Sequence, residues 1–173
     1  LQGNDISTIK PIEACTNIVL LKLANNKNIE NNNSAIEKMT KLTYLDLSNT
    51  GMTNIDSINN LISSLRTLKL YELNVSQNSL QNIGGIEKIT SLGKLGIADN
   101  QLDDEDLAVI KDLTRLTTLD ISGNQMSNIS ALSNLSNITY LYFDNNKVES
   151  IEPLTGKKFT ELSFKENKIK DIT

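Results

Sequence analysis

Apolar residues recur along this chain in one repeated phrase. In residues 116–137 they fall at Leu116, Leu119, Ile121, Met126, Ile129, Leu132 and Leu135, with Asn124 after the first three. The next segment places Ile138, Leu141, Phe143, Asn146, Val148, Ile151 and Leu154 in the same slots, and the one after it Phe159, Leu162, Phe164, Asn167, Ile169 and Ile172. Upstream, Leu92, Leu95, Ile97, Asn100 and Leu102 match, as do Ile18, Leu21, Leu23 and Asn26. Leu42, Leu45 and Leu47 follow with Thr50 in the asparagine slot, and Leu1, Asn4, Ile6, Ile9 and Ile12 form the tail of one more unit. Self-similarity at a period between 20 and 50 residues signals a repeat architecture.

One stretch offers two registers. Leu65, Leu68 and Leu70 fit the opening of the phrase, and so do Leu70, Leu73 and Val75. The asparagine-slot residues are 4, 26, 50, 78, 100, 124, 146 and 167, which gives steps of 22, 24, 28, 22, 24, 22 and 21 residues. Only the second register puts Asn78 in its slot, with Leu80, Ile83, Ile86 and Ile89 following in order. The extra residues, about five, then belong to the preceding unit around NNLISSLRT, where they should swell its return segment. Each L-x-L tripeptide alternates, so it predicts a short strand with alternate side chains buried. Leu107, Ile110 and Leu113 stand at helical spacing after Asp103 or Asp104 as N-cap, and Ile36 and Met39 do so after Ser34. The 22-residue units leave room only for 3₁₀ turns or extended chain.

The phrase L-x-x-L-x-L-x-x-N-x-L/I-x-x-I-x-x-L resembles the leucine-rich repeat. The 22-residue length, with SNISALSNLSN and ESIEPLTG, resembles the internalin-like bacterial subclass, which shares its repeat type with a eukaryotic phosphatase-regulator subclass. The resemblance covers nearly the whole chain and implies an α/β solenoid. Residues 1–173 would then form a single leucine-rich-repeat domain of about seven to eight repeats. The stack is expected to curve, with a parallel β-sheet on the concave face and short helices, 3₁₀ turns and extended chain on the convex side. The slot asparagine would turn the chain and bond backbone groups of adjacent coils. Thr50 departs from that pattern but can still donate one bond. Neither end shows a cap, and the chain opens at Leu1 in mid-pattern, so it reads as a fragment or a processed product.

Composition agrees with a flat stack. Among 173 residues there are 23 Asn, no His and no Trp, with four Tyr and three Phe. The formal net charge is −4, which argues against a nucleic-acid partner. No apolar run reaches the roughly 18 residues of a membrane span. A single cysteine, Cys15, excludes an internal disulfide framework; it shares a slot with Ile89 and Leu135 and is expected to be buried.

The x positions of the strands define the candidate face. All four tyrosines, Tyr44, Tyr71, Tyr140 and Tyr142, fall there, whereas Phe143, Phe159 and Phe164 fall in inward slots. Exposed tyrosine also simply suits strands. Asp46, Glu72, Asp99, Asp120, Asp144, Glu161 and Glu166 stand on the same side against Lys22, Lys94 and Lys165. Such charge serves solubility, or it steers a partner with a basic patch. The candidate contacts are Tyr44, Asp46, Tyr71, Asn74, Asp120, Tyr140, Tyr142 and Asp144. The run DDED lacks the spacing and glycine of a calcium loop, and helix capping accounts for it better. The triplets at Asn74, Asn134 and Asn137 match a glycosylation acceptor, as chance predicts in so asparagine-rich a chain. No catalytic set, metal spacing or cofactor motif is present, so no enzyme activity and no cofactor are expected.

The resemblance implies the ligand-binding repeat region of a bacterial surface or secreted protein, monomeric, extracellular or at the cell surface. The alternatives are a cytoplasmic scaffold or phosphatase-regulating subunit, and the recognition part of a larger enzyme.

Overall fold

The computed structural model describes residues 1–29, 34–64 and 69–170. Seven three-residue strands form one parallel sheet in chain order: β1 (Leu20–Lys22), β2 (Tyr44–Asp46), β3 (Glu72–Asn74), β4 (Lys94–Gly96), β5 (Thr118–Asp120), β6 (Tyr140–Tyr142) and β7 (Glu161–Ser163). A three-residue strand has no stability of its own, so each coil depends on the neighbours that cover its two faces. Leu21, Leu45, Leu73, Leu95, Leu119, Leu141 and Leu162 stand opposite one another in a continuous row. Leu45 to Leu141 in this row are at most 1% exposed, each burial contributing about 1.5–3 kcal/mol.

The pairing resolves the ambiguous register. Leu73 pairs with Leu95, and Leu70, Leu73 and Val75 are fully buried. Leu65 and Leu68 lie outside the described residues. The extra chain of the 28-residue step forms α2 (Asp56–Ser64) on the return side, the longest helix among the described residues. Its Ile58 and Leu61 reach the core.

The other returns are shorter. The helix α1 (Ser34–Glu37) packs against α2 and buries Ala35 and Ile36, with Met39 beyond it also buried. Ser34 is itself helical, so it lies within the helix rather than capping it. The helix α3 (Asp104–Val109) begins at the N-cap Asp103, whose carboxylate accepts from the Glu105 and Asp106 N–H groups while Asp106 reaches back to the Asp103 N–H. The DDED run is therefore a reciprocal cap. Shorter 3₁₀ turns occupy Lys10–Ile12, Ile86–Lys88, Ser130–Asn134 and Glu152–Leu154.

Behind the sheet the slot residues form a ladder. Asn100 Nδ2 donates to Ile97 O in its own coil (3.1 Å) and to Val75 O in the preceding one (3.1 Å), and its Oδ1 accepts from Leu80 N–H (3.0 Å). Asn78, Asn124, Asn146 and Asn167 repeat this arrangement. Thr50 Oγ1 keeps only the bond within its coil, to Leu47 O at 2.7 Å, apart from a long contact with Asn78. In all eight units the residue before the slot has a left-handed backbone: Gly3, Asn25, Asn49, Gln77, Asp99, Gly123, Asn145 and Glu166. That turn swings the slot side chain inward. At Gly123 the conformation coincides with crowding, since a Cβ there would stand 2.0 Å from Asp99 Oδ1.

Four inward residues are less buried than expected, and all lie in end units with one neighbouring coil in this structure. Cys15 is exposed because no coil covers that side of its turn. Phe159, Leu162 and Phe164 are half-buried, although Phe164 stacks on the fully buried Phe143 with ring centroids 5.5 Å apart.

Candidate binding face on the sheet

Strand register sorts the outward side chains into rows. One row runs Leu20, Tyr44, Glu72, Lys94, Thr118, Tyr140, Glu161; the next runs Lys22, Asp46, Asn74, Gly96, Asp120, Tyr142, Ser163. Just before the strands, Tyr71 bonds to Thr43 O and receives the Gly93 and Lys94 N–H groups on its own carbonyl. Its ring lies over Gly93, where a Cβ would come within 2.1 Å of Cε2.

The tyrosines form two groups. Tyr44 and Tyr71 sit on adjacent coils, and Tyr140 and Tyr142 share β6. Tyr44 and Tyr140 occupy the same row four strands apart, about 19 Å at ordinary strand spacing. Lys22 Nζ stands 5.3 Å from the centre of the Tyr44 ring. Burial raises the Tyr44 hydroxyl pKa, and the Asp46 and Glu72 charges raise it further. Tyr142 is shifted the same way by burial, by its hydrogen bond to Glu161 and by the charges of Glu161 and Asp120. Both phenols thus stay protonated donors in an acidic setting. The seven carboxylates and three lysines of the strands and following turns leave fourteen charges of each sign for the rest of the chain. The whole formal charge of −4 is therefore carried on this side.

Four of the expected contacts also have structural work. Asp46 is buried, and its Oδ1 accepts from Ser48 N–H and Oγ–H at 3.0 and 2.7 Å, so it offers a partner little surface. Asn74 accepts from Ser76 N–H and Asp120 from Ser122 N–H, at 3.1 and 3.0 Å. Asp144 accepts from Ser163 Oγ–H and Lys165 N–H of the next coil. Where the strand ends in a residue with no such acceptor, the preceding coil supplies one: Ala98 N–H donates to Ser76 Oγ and Asp144 N–H to Ser122 Oγ. The recurring D/N-x-S at 46–48, 74–76 and 120–122 was the available signal, and it reads as turn chemistry.

Two features of the face lay outside the expected set. Val19 and Leu20, at 49% and 54% exposure, extend the apolar surface beside Tyr44, and the slot assignment of Leu21 already turned them outward. On β4, Gly96 leaves an open depression of about 210 Å³, lined by Glu72, Asn74, Lys94, Thr118, Asp120 and Tyr142 among others. Among the described residues no cluster of three or more His, Cys, Asp or Glu is placed to hold a metal ion, and no helix is long and apolar enough to cross a membrane.

A parallel sheet of identical short strands, an asparagine ladder and helical or 3₁₀ returns define a leucine-rich repeat solenoid. The chain is a leucine-rich repeat protein of the internalin-like type. A family model described as leucine rich repeats (2 copies) matches residues 114–156. An internalin (inlF) from Listeria monocytogenes superposes with a TM-score of 0.87 at 29% identity, covering 99% of this chain and 48% of that one. An internalin C2 from the same species gives 0.84 at 26% identity, covering 99% and 72%. Mouse lumican is 31% identical over 169 residues, 95% of this chain and 48% of lumican. The chain spans about half the length of the lumicans it matches.

Proposed function

We propose that residues 1–173 act as one protein-binding domain, the ligand-binding repeat region of a surface or secreted protein, and that the outward face of the sheet holds the partner. One observation carries this reading: all four tyrosines lie on the outward side of the strands, and the strands with the turns that follow them carry the excess of carboxylates over lysines. Tyrosine contributes large contact area at low conformational cost and is common among residues that dominate binding energy. Two aromatic groups about 19 Å apart suit a protein surface rather than a small molecule. Likeness to internalins over 99% of the chain supports a surface or secreted location. The acidic field favours a partner with a basic patch and speeds its arrival.

The test is a selection of displayed folded protein domains on the full chain, followed by single substitutions. Tyr142→Ala should weaken selected binders by about 1–2 kcal/mol or more. Lys111→Ala, on the exposed return side, should leave them unchanged. Binders lost through return-side substitutions and indifferent to the tyrosines would overturn the reading, as would a selection that retains nothing.

A further inference from the structure

The depression over β4 has a chemistry more specific than the face around it. Gly96 is the one strand residue of its row without a side chain, between Asn74 and Asp120. A Cβ here would push on the neighbouring coil's side chain, since it would stand 2.7 Å from Asn74 Oδ1, which accepts from the Ser76 N–H. The floor is therefore backbone, with Thr118 and Asp120 on the next strand and the Tyr142 ring one strand further. Its volume of about 210 Å³ falls short of the roughly 300 Å³ at which small-molecule sites begin, and suits a single long side chain.

The charges around it decide which side chain. Lys94 is the only cation lining the depression, and its Nζ pairs with Glu72 at 3.4 Å. That pair cancels, and Asp120 leaves the lining at a net charge of −1. Asp120 uses Oδ1 to accept from Ser122 N–H, and a carboxylate offers a second oxygen to a further donor. The tyrosine ring supplies a π face to a cation. Resting on the binding reading above, we propose that this depression is a socket for one arginine side chain of the protein partner, the guanidinium meeting Asp120 and Tyr142. Arginine fits better than lysine because its flat fork can face a carboxylate and a ring at once.

The experiment titrates the isotope-labelled full chain with N-acetyl-arginine amide and, separately, with its neutral isostere N-acetyl-citrulline amide, following backbone amide NMR shifts. The expected result is saturable shifts centred on Gly96, Thr118 and Asp120, with citrulline weaker by at least about threefold. Asp120→Asn, which keeps the bond to Ser122, should reduce arginine binding by a similar factor, about threefold or more. Gly96→Val should abolish the localised shifts, while the rest of its spectrum reports an intact fold. Equal shifts with both probes, or shifts scattered over all exposed carboxylates, would overturn the socket. Binders from the domain selection separate the two claims. If they depend on Tyr44 and Tyr142 but not on Gly96 or Asp120, the face stands and the socket falls; if they ignore the tyrosines, the face itself falls.

Discussion

Replacing Asn124 by alanine removes one rung of the ladder, and the structure shows which backbone groups lose their partners. Asn124 Nδ2 donates to Ile97 O, Ile121 O and Ser122 O at 3.0, 3.1 and 3.1 Å. Each of these carbonyls has another donor: Ile97 O receives Asn100, Ile121 O receives Asn146, and Ser122 O receives the Asp99 N–H. Leu102 N–H is different. It donates to Asn124 Oδ1 at 3.1 Å, and Leu102 is fully buried. An orphaned buried N–H costs about 1–3 kcal/mol, and the lost donated bonds add about 1 more. The expected loss is therefore about 2–4 kcal/mol. Thr50 supplies an internal control, since a threonine keeps the bond within its coil. Asn124→Thr should accordingly recover about 1 kcal/mol of that loss. Urea unfolding followed by far-ultraviolet circular dichroism measures both variants, with coincidence of a second probe checking two-state behaviour. A loss below about 1 kcal/mol for the alanine variant would refute the accounting of Leu102 N–H.

Thr50→Asn is the converse substitution and should stabilise the chain by about 1 kcal/mol in the same urea assay, by giving position 50 an amide that can reach the preceding coil. Leu119→Ala, in the middle of the fully buried row, should cost about 2–5 kcal/mol by denaturant unfolding. Asp104 tests the acid side. Burial pushes its pKa up, but the Ser127 Oγ–H and the Asn128 and Ser127 N–H groups outweigh that and hold it below the ordinary aspartate value. A depressed folded pKa gives stability that is present above the unfolded value of about 3.9 and is lost as pH falls through the folded one. The advantage of the native chain over Asp104→Asn should therefore be constant near neutrality and shrink below about pH 3.9, read from thermal melts across pH.

The backbone architecture was legible because it depends on periodicity. A burial pattern repeated through seven strands fixed even the 28-residue step, since a strand at Leu68 and Leu70 would have put Leu73 in the asparagine slot. The returns at α2 and α3 followed from spare length and an acidic cap. The face was harder to read. Asp46, Asn74, Asp120 and Asp144 look like free polar surface in sequence, yet each bonds a backbone N–H that the short strands leave over. Distinguishing turn chemistry from available charge needs the third dimension. The depression at Gly96 was invisible because it arises from an absent side chain framed by neighbours 22 and 24 residues away. Cys15, Phe159 and Phe164 obeyed the pattern, but burial in a stack requires a coil on both sides.

The absence of Trp and His and the placement of all four tyrosines make one measurement especially direct. Tyrosine-selective triazolinedione labelling modifies only the sheet face, so the labelling of each tyrosine can be compared by mass spectrometry with and without a selected partner domain bound. The account predicts that the partner shields Tyr140 and Tyr142, together with Tyr44 or Tyr71, and that prior labelling of the free chain blocks binding. Unchanged labelling of all four tyrosines in the complex, with binding intact after they are modified, would contradict it.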